Sequence, residues 1–151
     1  MLKVGFNQPV NTLTQNKNNK QQVTFGAWEQ TLLGLKPDAF EKGLAKTLEK
    51  EIVNKTGLKV AKNWVGVPTR EKMETHYAEH KGKGFFNDLI DYVTRGKFKV
   101  VTLEGEDAVS KLRTAALELR NKYAPGAKNE NLIHSSDSVQ SAKKEIINFF
   151  G

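Results

Sequence analysis

Histidine is scarce in this chain, with three among 151 residues. One of them, His134, sits in "ENLIHSSDS" (Glu130–Ser138), after a short apolar run and before a cluster of small polar residues. A histidine nucleophile needs one ring nitrogen free and the other fixed by an acceptor. Glu145 lies eleven residues on, on what reads as a helix capped by Ser138. A helix folding back against the strand of His134 brings that carboxylate to the ring. Ser135, Ser136 and Ser138 place hydroxyls and N–H groups at a helix N-terminus, where anions are favoured. Lys36 ends an apolar strand, and Arg113 and Arg120 lie seven apart, two turns along one helix and hence on one face. Three cations around one oriented histidine form a constellation for phosphoryl transfer.

Other chemistries find less support. The G-x-x-x-x-G-K-[ST] and G-x-G-x-x-G phosphate loops are absent, and "GKGFF" is too short a glycine pattern to carry weight. There are no cysteines, which excludes disulfides and thiolate metal sites. His76 and His80 stand four apart, but "THYAEHKGKG" offers no third ligand in register. They read as two surface histidines on a helix. The net charge of +7 points to anionic partners. The lysines are scattered, without the interleaved aromatics of a nucleic-acid groove, so nucleic acid ranks low. No apolar run approaches the roughly 20 residues of a membrane span, and none near the start has signal-peptide length. A cytoplasmic enzyme or binding module is expected.

These residues need a scaffold. Residues 1–26 include "NTLTQNKNNKQQ", without apolar period, and read as a flexible tail; the globular domain is expected over 27–151. "TLLGL" reads as a buried strand ending near Lys36. Asp38 and Glu41 have capping-box spacing ahead of a helical stripe of Leu44, Leu48 and Ile52, stopped by Gly57. A strand over Leu58–Val67 follows, then a helix capped by Thr69 that carries Met73 and Tyr77. Phe86, Leu89, Ile90 and Val93 mark another helix, and "FKVVTLE" a third strand. A helix from Asp107 carries Val109, Leu112, Ala116 and Leu119. "NLIH" is a fourth strand, and a last helix carries Ala142, Ile146 and Phe149. This order predicts an α+β, ferredoxin-like (split βαβ) fold, a four-stranded antiparallel sheet with helices on its faces. A doubly wound parallel sheet fits less well, because no glycine-rich strand-to-helix turn is present.

Three stretches, "LKPDAFEKGL", "HYAEHKGKGFF" and "ENLIHSSDSVQSAKKEI", together resemble nucleoside diphosphate kinase from about Glu29 to Phe150. The resemblance implies that His134 becomes phosphorylated, that Glu145 orients it, and that Ser136 bonds to that carboxylate. It implies that Lys36 contacts phosphate and ribose, that Tyr77 lies near the histidine, and that Phe85 stacks on the base with Leu89 beside it. Arg113 and Arg120 match phosphate-binding arginines, and Asn131 a contact to the sugar hydroxyl. The implied reaction is double displacement with ATP or another nucleoside triphosphate as donor. Mg²⁺ is carried by the nucleotide rather than held in a protein cage. The family assembles as homo-oligomers.

The chain also departs from the family. Where relatives carry a longer segment between the two arginines, with a phosphate-contacting threonine and a loop that packs between subunits, this chain has only "TAALEL". An oligomer that dissociates more readily on dilution is therefore expected. The shortening is also the main support for a rival reading, a non-catalytic nucleotide-binding regulatory module of the same fold.

Overall fold

The computed structural model describes residues 26–151. The tail reading for residues 1–26 falls, apart from Gly26, outside the described residues. Four strands form the sheet: β1 (Trp28–Leu35), β2 (Lys59–Gly66), β3 (Phe98–Glu106) and β4 (Ile133–Ser135). Their spatial order is β2-β3-β1-β4, and every neighbouring pair is antiparallel. The helices are α1 (Pro37–Glu41), α2 (Ala45–Thr56), α3 (Arg70–His76), α4 (Phe86–Val93), α5 (Ala108–Tyr123) and α6 (Val139–Phe150), with one 3₁₀ turn at Ala78–His80. This is the expected ferredoxin-like arrangement, built on two split βαβ units.

Both faces of the sheet are covered. Because side chains alternate along a strand, Leu33, Leu35, Val101 and Leu103 face one side while Leu32, Phe98 and Val100 face the other. The first set packs with Leu48 and Ile52 of α2 and with Leu112, Ala116 and Leu119 of α5. The second packs with Met73 of α3, Phe86 and Ile90 of α4, and Phe149 of α6. No helix among the described residues is long and apolar enough to cross a membrane.

The caps behave largely as the sequence suggests. Thr69 Oγ1 accepts from Lys72 N at 3.1 Å and Ser138 Oγ from Ser141 N at 3.0 Å. Gly57 closes α2 in the left-handed conformation, at φ +68°, where a Cβ is costly.

The capping box at Asp38 does not form. Pro37 opens α1 with Lys36 as its N-cap, and no side chain caps it. A break at Gly43, also at φ +68°, divides the expected single helix into α1 and α2. Asp38 is instead buried: Oδ1 accepts from Tyr92 Oη at 2.6 Å and Oδ2 from Leu132 N at 3.1 Å. Asp107 does precede α5, but in the left-handed conformation and without a side-chain cap. β4 is shorter than "NLIH", because Leu132 adopts φ +77° and leaves the strand conformation.

Candidate active site

β4 lies beside β1, with His134 opposite Gly34. Ile133 points into the core shared with α2 and α5, so strand alternation turns His134 to the opposite face, toward α3 and α6. There the ring meets Glu145, one and a half turns into α6. Nε2 lies 3.0 Å from Glu145 Oε1, and Ser136 Oγ donates to the same oxygen at 2.6 Å. Ser136 Oγ in turn accepts from Leu32 N at 3.2 Å. A chain of hydrogen bonds thus ties a backbone amide of β1 through Ser136 and Glu145 to the ring. A carboxylate can only accept, so Nε2 carries the proton and Nδ1 keeps the lone pair. Among the described residues Nδ1 has no hydrogen-bond partner. The His134 side chain is 15% exposed, so the ring is held in a wall with one part open.

Gly34 makes this placement possible. A Cβ added there would lie 3.0 Å from His134 Cβ and 3.2 Å from the Phe98 ring. A glycine interrupting an apolar strand is the signal of such a close approach, and "TLLGL" carries it; the sequence reading passed it over.

The cations collect on the same side. Lys36 is buried at the end of β1, and its Nζ donates to Asn131 Oδ1 at 2.8 Å. Burial, and next the Arg120 charge, lowers its pKa to about 8. Arg120 Nη2 donates to the Ile133 carbonyl at 2.6 Å, while its buried Nε has no partner. Burial lowers the Arg120 pKa as well. Arg113, two turns earlier on α5, is half-exposed, and its Nη1 donates to Asp137 Oδ1 at 2.5 Å.

His134 is pulled down to about 3, by burial first and then by the positive charge of Lys36. Arg120 and Arg113 add to the effect. A ring kept neutral by a surrounding of cations is a ring whose lone pair is available in a place suited to anions. Burial raises the Glu145 pKa, opposed by His76 and by the Ser136 hydrogen bond.

Toward the surface a row of rings leads away from His134. Tyr77, the C-cap of α3, stands edge-on to it at 5.9 Å between centroids. His80 stacks on Tyr77 at 6.3 Å, and Phe85 follows at 5.4 Å from His80. Phe85 is 41% exposed at the start of α4, with half-buried Leu89 one turn on. The Tyr77 hydroxyl is buried and unpartnered.

Glu145, Ser136 and Tyr77 gather directly around His134, with Lys36, Arg113 and Arg120 close enough to act on its charge and Asn131 bonded to Lys36, whereas Phe85 connects to it among the described residues only through the rings of Tyr77 and His80, and Leu89 makes no contact with it. His76 departs from expectation. It is 9% exposed, not on the surface, and its ring stands edge-on to His134 at 4.5 Å. Both of its ring nitrogens are buried without partners. Burial and the neighbouring His134 lower its pKa to about 3. The i, i+4 spacing to His80 misled, because the partners of His76 come from β4 and α6 rather than from its own helix.

The chain is similar to known proteins in sequence and in fold. The family model for nucleoside diphosphate kinase matches residues 29–151. The chain is 43% identical over 132 residues to the nucleoside diphosphate kinase of Listeria monocytogenes serotype 4a, covering 81% of this chain and 88% of the relative. It is 40% identical over 129 residues to that of Clostridium perfringens, covering 78% and 88%. Among solved structures, the Aquifex aeolicus nucleoside diphosphate kinase superposes with a TM-score of 0.73 at 32% identity, covering 83% of this chain and 96% of that one. A halophilic nucleoside diphosphate kinase from Halobacterium salinarum, solved in complex with CDP, superposes at 0.71 and 30% identity, covering 81% and 87%.

Proposed function

The chain belongs to the nucleoside diphosphate kinase family, and we propose from that premise that it moves a terminal phosphate between nucleotides through a phosphohistidine at His134. The observation that carries this reading is the His134–Glu145–Ser136 arrangement. It fixes Nε2–H and leaves Nδ1 with its lone pair, amid Lys36, Arg113 and Arg120. Nδ1 attacks the terminal phosphorus of a nucleoside triphosphate. The N–P bond forms as the bond to the bridging oxygen breaks, and the diphosphate leaves with that electron pair. The ring gains positive charge as it does so, and Glu145 opposite Nε2–H stabilises that charge. A terminal oxygen of a second diphosphate then attacks the phosphorus, and the ring is restored.

Lys36 and the unpartnered Nε of Arg120 hold the transferring group, with Arg113 exchanging its Asp137 contact for phosphate. The buried Tyr77 hydroxyl closes the pocket on the other side. Asn131 holds the Lys36 ammonium and reaches the sugar hydroxyl. Phe85 stacks on the base with Leu89 beside it. Stacking accepts any base, so purine and pyrimidine diphosphates are all substrates. The CDP bound by the halophilic relative is in keeping with this. Mg²⁺ enters as part of the nucleotide substrate.

The same reading makes residues 27–151 the catalytic domain, places the protein in the cytoplasm, and has it assemble as a homo-oligomer. The non-catalytic alternative is not favoured: a module that only binds nucleotide has no use for an oriented, neutral histidine among cations. Incubation with γ-labelled ATP tests the proposal. An acid-labile, base-stable phosphoprotein that passes its label to added diphosphate is expected. A protein that binds nucleotide without taking up label would overturn it.

A further inference from the structure

His76 has no part in the reaction just described, yet its placement is costly. A buried nitrogen without a partner has given up its water for nothing in return, and among the described residues His76 has two such nitrogens. Among the described residues, one group of three side chains brings metal-binding atoms together. His76, His134 and Glu145 each present one such atom, all within 4.8 Å of one another. Resting on the proposed role of His134, we propose that these three residues bind a borderline divalent transition ion, zinc foremost, and that the bound ion switches phosphoryl transfer off.

The donor set selects the ion. Two imidazoles and one carboxylate suit zinc, copper(II) or nickel(II), whereas Mg²⁺ and Ca²⁺ require oxygen ligands. The Mg²⁺ that accompanies the nucleotide therefore does not compete for this place. Zinc bonds of about 2.1 Å bring neighbouring tetrahedral donors to roughly 3.4 Å. The His134 and Glu145 atoms already stand at 3.0 Å. Rotation of His76, which has no hydrogen bond to break, closes the remaining gap. Three protein ligands leave a fourth position for water.

The consequence follows from the tautomer. A neutral imidazole has one lone pair. In the active arrangement it sits on Nδ1, because Nε2–H donates to Glu145. When Nε2 gives a lone pair to zinc, its proton moves to Nδ1, and Nδ1 can no longer attack phosphorus. Zinc stays divalent throughout and nothing is oxidised or reduced. Glu145, now a ligand, is also withdrawn from the ring. Metal and phosphoryl donor thus compete for a single electron pair of His134.

The test begins with the full chain, without tag and without nucleotide. Titration with zinc against a chromophoric chelator, and with cobalt(II) followed by its visible ligand-field bands, should give one ion per chain. His76→Phe and His76→Gln should each weaken binding at least about tenfold, in line with losing one of three ligands. His80→Ala should leave it unchanged. Phosphohistidine labelling should then fall with zinc in the natural protein, at the concentrations where the ion binds, and persist at those concentrations in whichever His76 variant folds. Equal zinc affinity in the natural protein and both His76 variants, or loss of binding in His80→Ala, would overturn the site. Full labelling with zinc bound would overturn the switch. If no protein takes up label, the phosphohistidine reading fails, and the titrations still decide the metal site.

Discussion

The two sides of the one sheet are built to different rules. On the α2 and α5 side, Leu33, Leu48, Ile52, Val101, Leu103, Leu112 and Leu119 form an aliphatic layer with no accessible surface. On the α3, α4 and α6 side, the aromatic rings of Tyr77, Phe86, Tyr92, Phe98 and Phe149 surround buried polar atoms. Three of those atoms, both nitrogens of His76 and the Tyr77 hydroxyl, have no partner. The first side supplies rigidity through its aliphatic packing, although Thr31 Oγ1 and Arg120 Nε are also buried there without partners among the described residues. The second gives up stability to keep donors and lone pairs free for something that is not protein. Apart from Arg113 and Arg120, which reach the site from α5, function and stability should therefore separate by side.

The sharpest break in that comparison is His134→Ala. It should abolish labelling and phosphate exchange while leaving the thermal midpoint little changed; exchange at the natural rate would remove His134 from the chemistry. Next in size is Leu48→Ala, on the quiet side. It should cost about 2–5 kcal/mol of stability by leaving a cavity, read by urea denaturation, with turnover per folded molecule unchanged. Glu145→Gln should lower the transfer rate about ten- to hundredfold, since a hydrogen bond to a charged group is worth roughly 1.5–3 kcal/mol. The label should still appear in single-turnover experiments.

Gly34→Ala should have a smaller effect on the same axis. The new methyl pushes His134 from its attack position, and a rate loss of about tenfold is expected with nucleotide affinity retained. The comparison also has a pH signature. His76 and His134 are both held down to about 3 by burial. The unfolded chain therefore takes up protons between about pH 6.5 and 3 that the folded chain refuses. Folding stability should fall as pH drops through that window. The slope is at most about 1.4 kcal/mol per pH unit for each histidine, and denaturation of His76→Phe across that range should show one histidine's share missing.

The quiet side was the more legible in sequence. Leu44, Leu48 and Ile52 report a helix because all their partners lie on one face of it, and Gly57 and Ser138 mark ends by local backbone needs alone. The active side depends on partners far apart in the chain. His134, Glu145 and Lys36 stood out by residue type and spacing, and the motif resemblance then gave them roles. His76 was misread because its neighbours are on β4 and α6, which no local period reveals. Asp38 was misread likewise: its spacing to Glu41 fits a cap, but its carboxylate is taken by Tyr92 and by the amide of Leu132. That second bond helps hold Leu132 in its left-handed conformation just before the nucleophile, an arrangement no side-chain pattern announces.

The short strand that carries His134 also sets a timetable. β4 is three residues long and, among the described residues, pairs only with β1, the first of the described strands in the chain. The bond from Leu32 N to Ser136 Oγ joins positions 104 apart in the chain. Contacts of such long range form late, because a large loop must close before they are rewarded. Among the described residues, the edge of β1 away from β3 stays open until β4 docks, and open edges invite pairing with neighbouring chains. Docking of β4 and α6 covers that edge, and the same event brings His134 to Glu145. On the proposed reading of His134, catalysis therefore begins only once the exposed edge has been closed.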